Sequence, residues 1–417
     1  MDSVDQQDGV GVVLAGAAAL GAYEVGVLSY VLDEVAHDLG TTAMPDVLAG
    51  TSAGAINATA LAAFADAPLA GVTELRRAWS ELRLARTVRP SSVELLSMFL
   101  DVTGAPASLR RAIRAFSIRG GLLDPAPIAR QIERAPIARI AEHLRAGRLR
   151  GVAISATRVS NGEAVVFHQA LSVHPWSARE HITPIATELT VDHVLASAAI
   201  PLVFPAVTIA GELYCDGGLR QMVPLSPALH LGATRLLVVN PLPARRPIRK
   251  DLPKTLVTSP LYLAGKALNA LFADRVEVDL ARLEHTNAIL RAGRHRFGPS
   301  FEREINRELA RAGEGELREI ASVRIEPTRD LGIMAAEYVA SRAFAARVGG
   351  PAGILLRWLA DADPERVGDL LAYLMFDGAF TTEVIELGRA DARTHHEALC
   401  ALFGSASAPP AAILQGA

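Results

Sequence analysis

The sequence predicts an α/β fold, a mostly parallel sheet covered by helices, on three observations. Short apolar runs alternate with helix-forming stretches over the first 65 residues. A serine between two glycines follows the second apolar run at once, as a strand-to-helix turn would have it. A further run, Leu236-Leu237-Val238-Val239, has the unbroken hydrophobicity of a strand buried on both faces.

Taken in order, residues 10–14 form a short apolar strand and residues 16–21 a glycine- and alanine-rich loop. Residues 22–39 read as a helix with Tyr23, Val27, Tyr30, Val31 and Val35 on its apolar face, and with Glu24 and Asp33 on its solvated side. A second strand over 47–50 leads into a second helix over 53–65. Residues 73–149 are rich in arginine and alanine and read as short helices broken by prolines at 90, 106, 125, 127 and 136. Strand character returns over 151–159 and 164–168, on either side of the turn pair Asn161-Gly162. A short helix over 191–199 precedes a hairpin of 206–209 with 212–214, and the buried strand spans 235–240. Beyond residue 250 the pattern gives one or two helices over 261–290, a last strand over 322–326, and helices from 335 to a small-residue tail over 405–417.

Composition narrows the function. The chain has 417 residues, half of them hydrophobic, with a net charge of -3 and a pI near 6.4. This balance does not favour nucleic acid as a partner. Two cysteines, Cys215 and Cys400, speak against a disulfide scaffold and for a reducing compartment. The acidic start of the chain does not read as a secretory signal, and the apolar stretch from 10 to 22 is too short to span a bilayer. A cytoplasmic protein, with contact at the membrane periphery, is the expectation.

The chemistry centres on Gly50-Thr51-Ser52-Ala53-Gly54. A turn this tight leaves no room for side chains beside the serine, hence Gly50 and Gly54. It also leaves Ser52 at a helix N-terminus, where unpaired amides stabilise negative charge. The carboxylate to pair with Ser52 is Asp216, in Tyr214-Cys215-Asp216-Gly217-Gly218, where Gly217 and Gly218 allow a close-packed turn. Read alone, Asp-Gly-Gly is a surface turn. The first loop, Gly16-Ala17-Ala18-Ala19-Leu20-Gly21, stands between strand and helix where main-chain donors for an oxyanion belong. It fits neither a phosphate loop, having no Lys nearby, nor a dinucleotide fingerprint, since Ala18 replaces the central glycine.

Together these blocks resemble the patatin-like phospholipase family. The first loop is similar to its Gly-Gly-Gly-x-Arg/Lys-Gly, the serine turn to its Gly-x-Ser-x-Gly, and Asp216-Gly217 to its Asp-Gly. The segment from Ala196 to Pro205 is similar to the stretch upstream of the family's aspartate. The resemblance implies a three-layer α/β/α catalytic domain over 9–290. A mainly helical extension over 291–404, such as bacterial members carry, and a loose tail over 405–417 would follow it. It implies a Ser52–Asp216 dyad that cleaves acyl esters of lipids or small esters through an acyl-enzyme. The oxyanion hole would come from the backbone of Gly16, Ala17, Ala18 and Ala19, and neither metal nor cofactor would be needed. Ala17 and Ala18 depart from the family's glycines, Leu20 from its basic residue, and Met222 from the asparagine of many relatives. A methyl leaves the N–H in place but penalises positive φ by roughly 1–2 kcal/mol.

Two other readings compete. A Ser-Asp-His triad would draw on His230 or His285, the nearby histidines downstream of Asp216. His230 at a helix end reads as structural, and His285 lies within a helix. A lipid-binding or scaffold protein of weak or no activity would use arginines at 76, 77, 110, 111 and 114 against acidic head groups; ordinary solvated helix faces are the favoured account of them. Residues 93–100 form an apolar segment suited to line or cover an acyl groove, and equally to be an ordinary core helix. His168, His174, His181 and His193 are too scattered to specify a metal site, and Cys215 reads as a buried small hydrophobe. The pattern is silent on oligomeric state.

Overall fold

The computed structural model describes residues 8–84, 126–174, 176, 181–201, 203–242, 280–312, 315–348 and 371–404. The apolar segment 93–100, Arg110, Arg111, Arg114 and the tail 405–417 lie outside these residues.

Among the described residues nine strands make one sheet: β1 (Val10–Leu14), β2 (Val47–Thr51), β3 (Gly151–Arg158), β4 (Ala164–Ala170), β5 (Ile182–Ala186), β6 (Val207–Ile209), β7 (Glu212–Asp216), β8 (Arg235–Val239) and β9 (Ala321–Ile325). Their order is β5-β4-β3-β2-β1-β8-β9, with β7 on β3 and β6 on β7. The sheet is mostly parallel, as the alternation of elements implies: β1 pairs in parallel with β2 and β8, β2 with β3, β8 with β9 and β4 with β5. Every residue of β1 and β2 is buried. Strands this apolar survive only between two covering layers.

The helices that position the site are α1 (Ala22–Tyr30), which continues through a π turn to Leu39, α2 (Ala53–Ala62), α3 (Pro68–Ser80), α4 (Val191–Ser197) and α5 (Gly378–Thr394). Both hairpins form where the sequence puts them. The Asn161-Gly162 turn has Gly162 at φ +68. Strand β5 is not foreseen, because Pro184 interrupts its pattern. Proline is tolerated there because, among the described residues, β5 is an edge strand that pairs only with β4.

The expectation of one apolar face on α1 is corrected: every residue from Ala22 to Tyr30 is buried. The reason is α5, which closes over the helix from far along the chain. A Cβ added to Gly26 would collide with the Ile385 carbonyl, and one added to Gly388 with the Tyr23 carbonyl. The two backbones therefore touch. Tyr23 donates to Asp391 (2.9 Å) across the same contact. Glu24, expected in solvent, has no exposed surface, whereas Asp33 stays exposed. Residues 280–297 form a single helix, and β9 and α5 beyond it pack onto β8 and α1. Among the described residues no helix is long and apolar enough to cross a membrane.

Candidate active site

Strand β3 brings the serine and the aspartate together. One of its edges carries β4, from Gly151 to Thr157. The other edge is shared. Strand β2 runs parallel to it and stops with Thr51 opposite Ser155. Strand β7 arrives from the opposite direction and stops with Asp216 opposite Ala156. Thr51 and Asp216 thus face neighbouring residues of one strand edge, and Ser52, the next residue after β2, turns off where β7 ends.

The turn at Ser52 is strained: φ is +54 and ψ is -120, a region that costs a non-glycine residue of order 1–3 kcal/mol. Its flanks admit only glycine. A Cβ on Gly50 would strike the Gly54 carbonyl, and one on Gly54 the Leu14 carbonyl. The turn is held by hydrogen bonds. The Ser52 amide donates to Ser197 Oγ (2.9 Å), and that hydroxyl donates to the Ser155 carbonyl (2.6 Å). Thr51 Oγ1 donates to the Gln221 carbonyl (2.9 Å), while Ser155 Oγ donates to Gln221 Oε1 (2.8 Å).

Asp216 is 1% exposed and Ser52 4%. Burial pushes the Asp216 carboxyl up to about 7, against the pull of the Ser52 hydroxyl beside it and of the Gly218 amide, which donates to Oδ1 (2.7 Å). The other oxygen, Oδ2, has no hydrogen-bond partner among the described residues. The serine hydroxyl is thus near enough to bias the carboxylate without making a bond of ordinary geometry to it. A carboxylate that titrates close to neutrality beside a hydroxyl is equipped to take up its proton. Gly217 lies against the Ser155 carbonyl with no space for a side chain.

The first loop passes directly over this pair. The spot a Gly16 Cβ would occupy lies 3.3 Å from Ser52 Cβ and 2.7 Å from Met222 Sδ. The Gly16 amide is engaged by the Met222 carbonyl (3.0 Å). Among the described residues the amides of Ala17, Ala18, Ala19 and Ala53 donate to nothing. Ala18 takes φ +49, so the left-handed position of the loop falls on an alanine. Leu20 is 2% exposed, and a basic side chain in its place would be buried in the core.

Behind the loop, Glu24 Oε2 accepts from Asn57 Nδ2 (2.8 Å), which also donates to the Gly21 carbonyl (2.9 Å), and Asn57 Oδ1 accepts from Trp79 Nε1 (2.9 Å). Burial holds the Glu24 carboxyl well above the usual carboxylate range. Trp79 walls an apolar pocket that opens beside Ser52 and Ala18 and whose lining, among the described residues, carries no charged side chain.

The remaining candidates fall elsewhere. His230 precedes Leu231, which packs on Gly151 at the start of β3. That is four residues, about 13 Å, from Ser155. Its ring stacks on Trp176, 4.2 Å between centroids. His285 is exposed on the helix 280–297. Among the described residues no cluster could hold a metal ion. Burial pushes the Cys215 thiol up to about 11, which keeps it protonated near neutral pH. Arg76 pairs with Glu386, and Arg77 with Glu74 and Glu81. Sequence reasoning missed Ser155, Gln221 and the Ser197–Ser52 bond. The small-residue run Ala196-Ser197-Ala198, placed just before the aspartate's hairpin, is the signal that pointed toward the last.

Compared with known proteins, residues 12–229 match the family model described as patatin-like phospholipase. That is slightly more than half of the chain. No curated protein matches. Among solved structures, VipD from Legionella pneumophila aligns over 91% of this chain and 67% of that one, at 11% identity and a TM-score of 0.28, too low to bear on fold or function.

Proposed function

Because the chain belongs to the patatin-like phospholipase family, we propose that it is a serine acyl hydrolase acting on lipid or small esters, with Ser52 as nucleophile and Asp216 as base. The observation that carries this reading is the shared edge of β3, where the ends of β2 and β7 meet. The Asp216 carboxylate takes the hydroxyl proton as Ser52 Oγ bonds to the ester carbonyl carbon. The tetrahedral oxyanion is met by amides of Ala17, Ala18 and Ala19 and by that of Ala53 at the α2 N-terminus, each donor worth about 3 kcal/mol. The intermediate collapses, the leaving alcohol takes the proton back from Asp216, and an acyl-Ser52 ester remains. Water then repeats the sequence: Asp216 takes its proton, the hydroxide oxygen bonds to the acyl carbon, and Ser52 leaves with the proton restored. The acyl chain occupies the uncharged pocket beside Ser52.

A second reading, a lipid-binding member with slow turnover, draws on Ala18 at φ +49 and on the absent base at position 20. One experiment addresses both. A fluorophosphonate probe should label the native protein and not Ser52→Ala. Unlabelled native protein overturns the hydrolase reading and leaves the binding one.

A further inference from the structure

The pocket runs outward from Ser52 along α2, where Ala53, Ile56 and Ala60 line it. From first to last these span about 10 Å. Helix α3 lies antiparallel to α2: Gly71 packs on Phe64 near the turn between them, and Trp79 bonds to Asn57 further back. Leu75 therefore lines the pocket toward its outer end, and the C-terminal end of α3 lies toward the serine end, with Leu82 just past it also on the lining.

One more lining residue, Phe376, comes from the C-terminal part of the chain, well beyond the family match at residue 229. Its neighbours grip the last turn of α3. The Gly378 amide donates to the Leu82 carbonyl (2.8 Å), and Thr381 Oγ1 donates to the Trp79 carbonyl (2.8 Å). A Cβ on Gly378 would collide with the Ser80 carbonyl. Phe376 itself is 7% exposed. The C-terminal segment is thus fastened to the chain around the C-terminal end of α3, and Phe376 is the bulky side chain it adds to the pocket wall.

We propose that Phe376 is a specificity-determining residue: its ring narrows the pocket beside the reacting carbonyl, so that straight acyl groups are accepted and groups branched next to the carbonyl are rejected. This rests on the acyl-hydrolase reading of the same site. The test compares kcat/KM for p-nitrophenyl butyrate and p-nitrophenyl 2,2-dimethylpropanoate in the full chain, in Phe376→Ala and in Phe376→Leu, with fluorophosphonate labelling of Ser52 in parallel. Intrinsic ester reactivity cancels when the branched-to-straight ratio is compared between variants. Phe376→Ala should raise that ratio about tenfold or more, and Phe376→Leu should raise it less, in the same direction. The leucine variant decides the matter if the alanine variant does not fold. A ratio unchanged within about twofold, with Ser52 still labelled, overturns the role of Phe376 alone. A native protein that neither labels nor hydrolyses overturns the hydrolase reading and this proposal with it.

Discussion

Replacing Asp216 by asparagine should make the protein more stable at alkaline pH while removing its activity. Asn Oδ1 keeps the bond from the Gly218 amide. Its NH2 takes the place of Oδ2, which has no partner, and points a donor at the Ser52 hydroxyl. In the folded chain the carboxyl pKa is raised from 3.8 to about 7. A raised carboxyl favours folding in its protonated form, so this stability is complete below about pH 4 and is lost as pH climbs through 7. The loss is about three units, or roughly 4 kcal/mol at pH 8. Asparagine resembles the protonated acid at every pH and escapes it. For a chain of this length, unfolding entropy makes that gap about 5 °C in Tm at pH 8, shrinking to about 1 °C at pH 4.5. Scanning calorimetry of both proteins at the two pH values measures it. Ester hydrolysis should fall by about 10²–10⁴-fold, the contribution of a general base. A Tm gap that does not change with pH, or a variant less stable than the parent at pH 8, would refute the argument.

On the hydrolase reading, the native protein's kcat/KM should rise with unit slope below about pH 7 and level above it, since the carboxylate would be the active form; a profile flat from pH 5 to 9 contradicts that. Ala18→Gly relieves φ +49 and should stabilise the fold by about 1 kcal/mol in a denaturant melt. Lower stability would mean that the loop does not hold this angle. Ser197→Ala strips the Ser52 amide of its acceptor and the Ser155 carbonyl of its donor, and should cost about 1–3 kcal/mol. Probe labelling of Ser52 should slow with it, and an unchanged rate would separate Ser197 from the geometry of the turn.

Much of this site is visible in the sequence because its constraints are local. The turn at Ser52 needs Gly50 and Gly54 within a few residues of itself, and β1, β2 and β8 declare themselves by unbroken apolar runs. The asparagine-glycine turn likewise carries its own geometry. What is not visible depends on distant chain. Glu24 has the spacing of a solvated helix position and is buried only because α5 lies over it. Ser155 and Gln221 are ordinary polar residues until β3 and the stretch after β7 meet beside Ser52. Phe376 carries no signal, since its place in the pocket is set by Gly378 and Thr381 docking onto α3. Pro184 argues against a strand anywhere but at an edge, and a linear pattern does not say which strand is outermost.

On the hydrolase reading, the divided border of β3 also decides when the chain becomes chemically competent. Ser52 and Asp216 stand 164 positions apart, so the pair that the hydrolase reading needs exists only once the sheet has brought them together. Only the docking of β7 completes the pair, and it must dock in one alignment. A slip of a single residue would present Cys215 where Asp216 belongs and turn the carboxylate to the opposite face of the sheet. On the hydrolase reading, correct threading of this short ribbon is a precondition of turnover, and reactivity at Ser52 would report that β7 has docked in register.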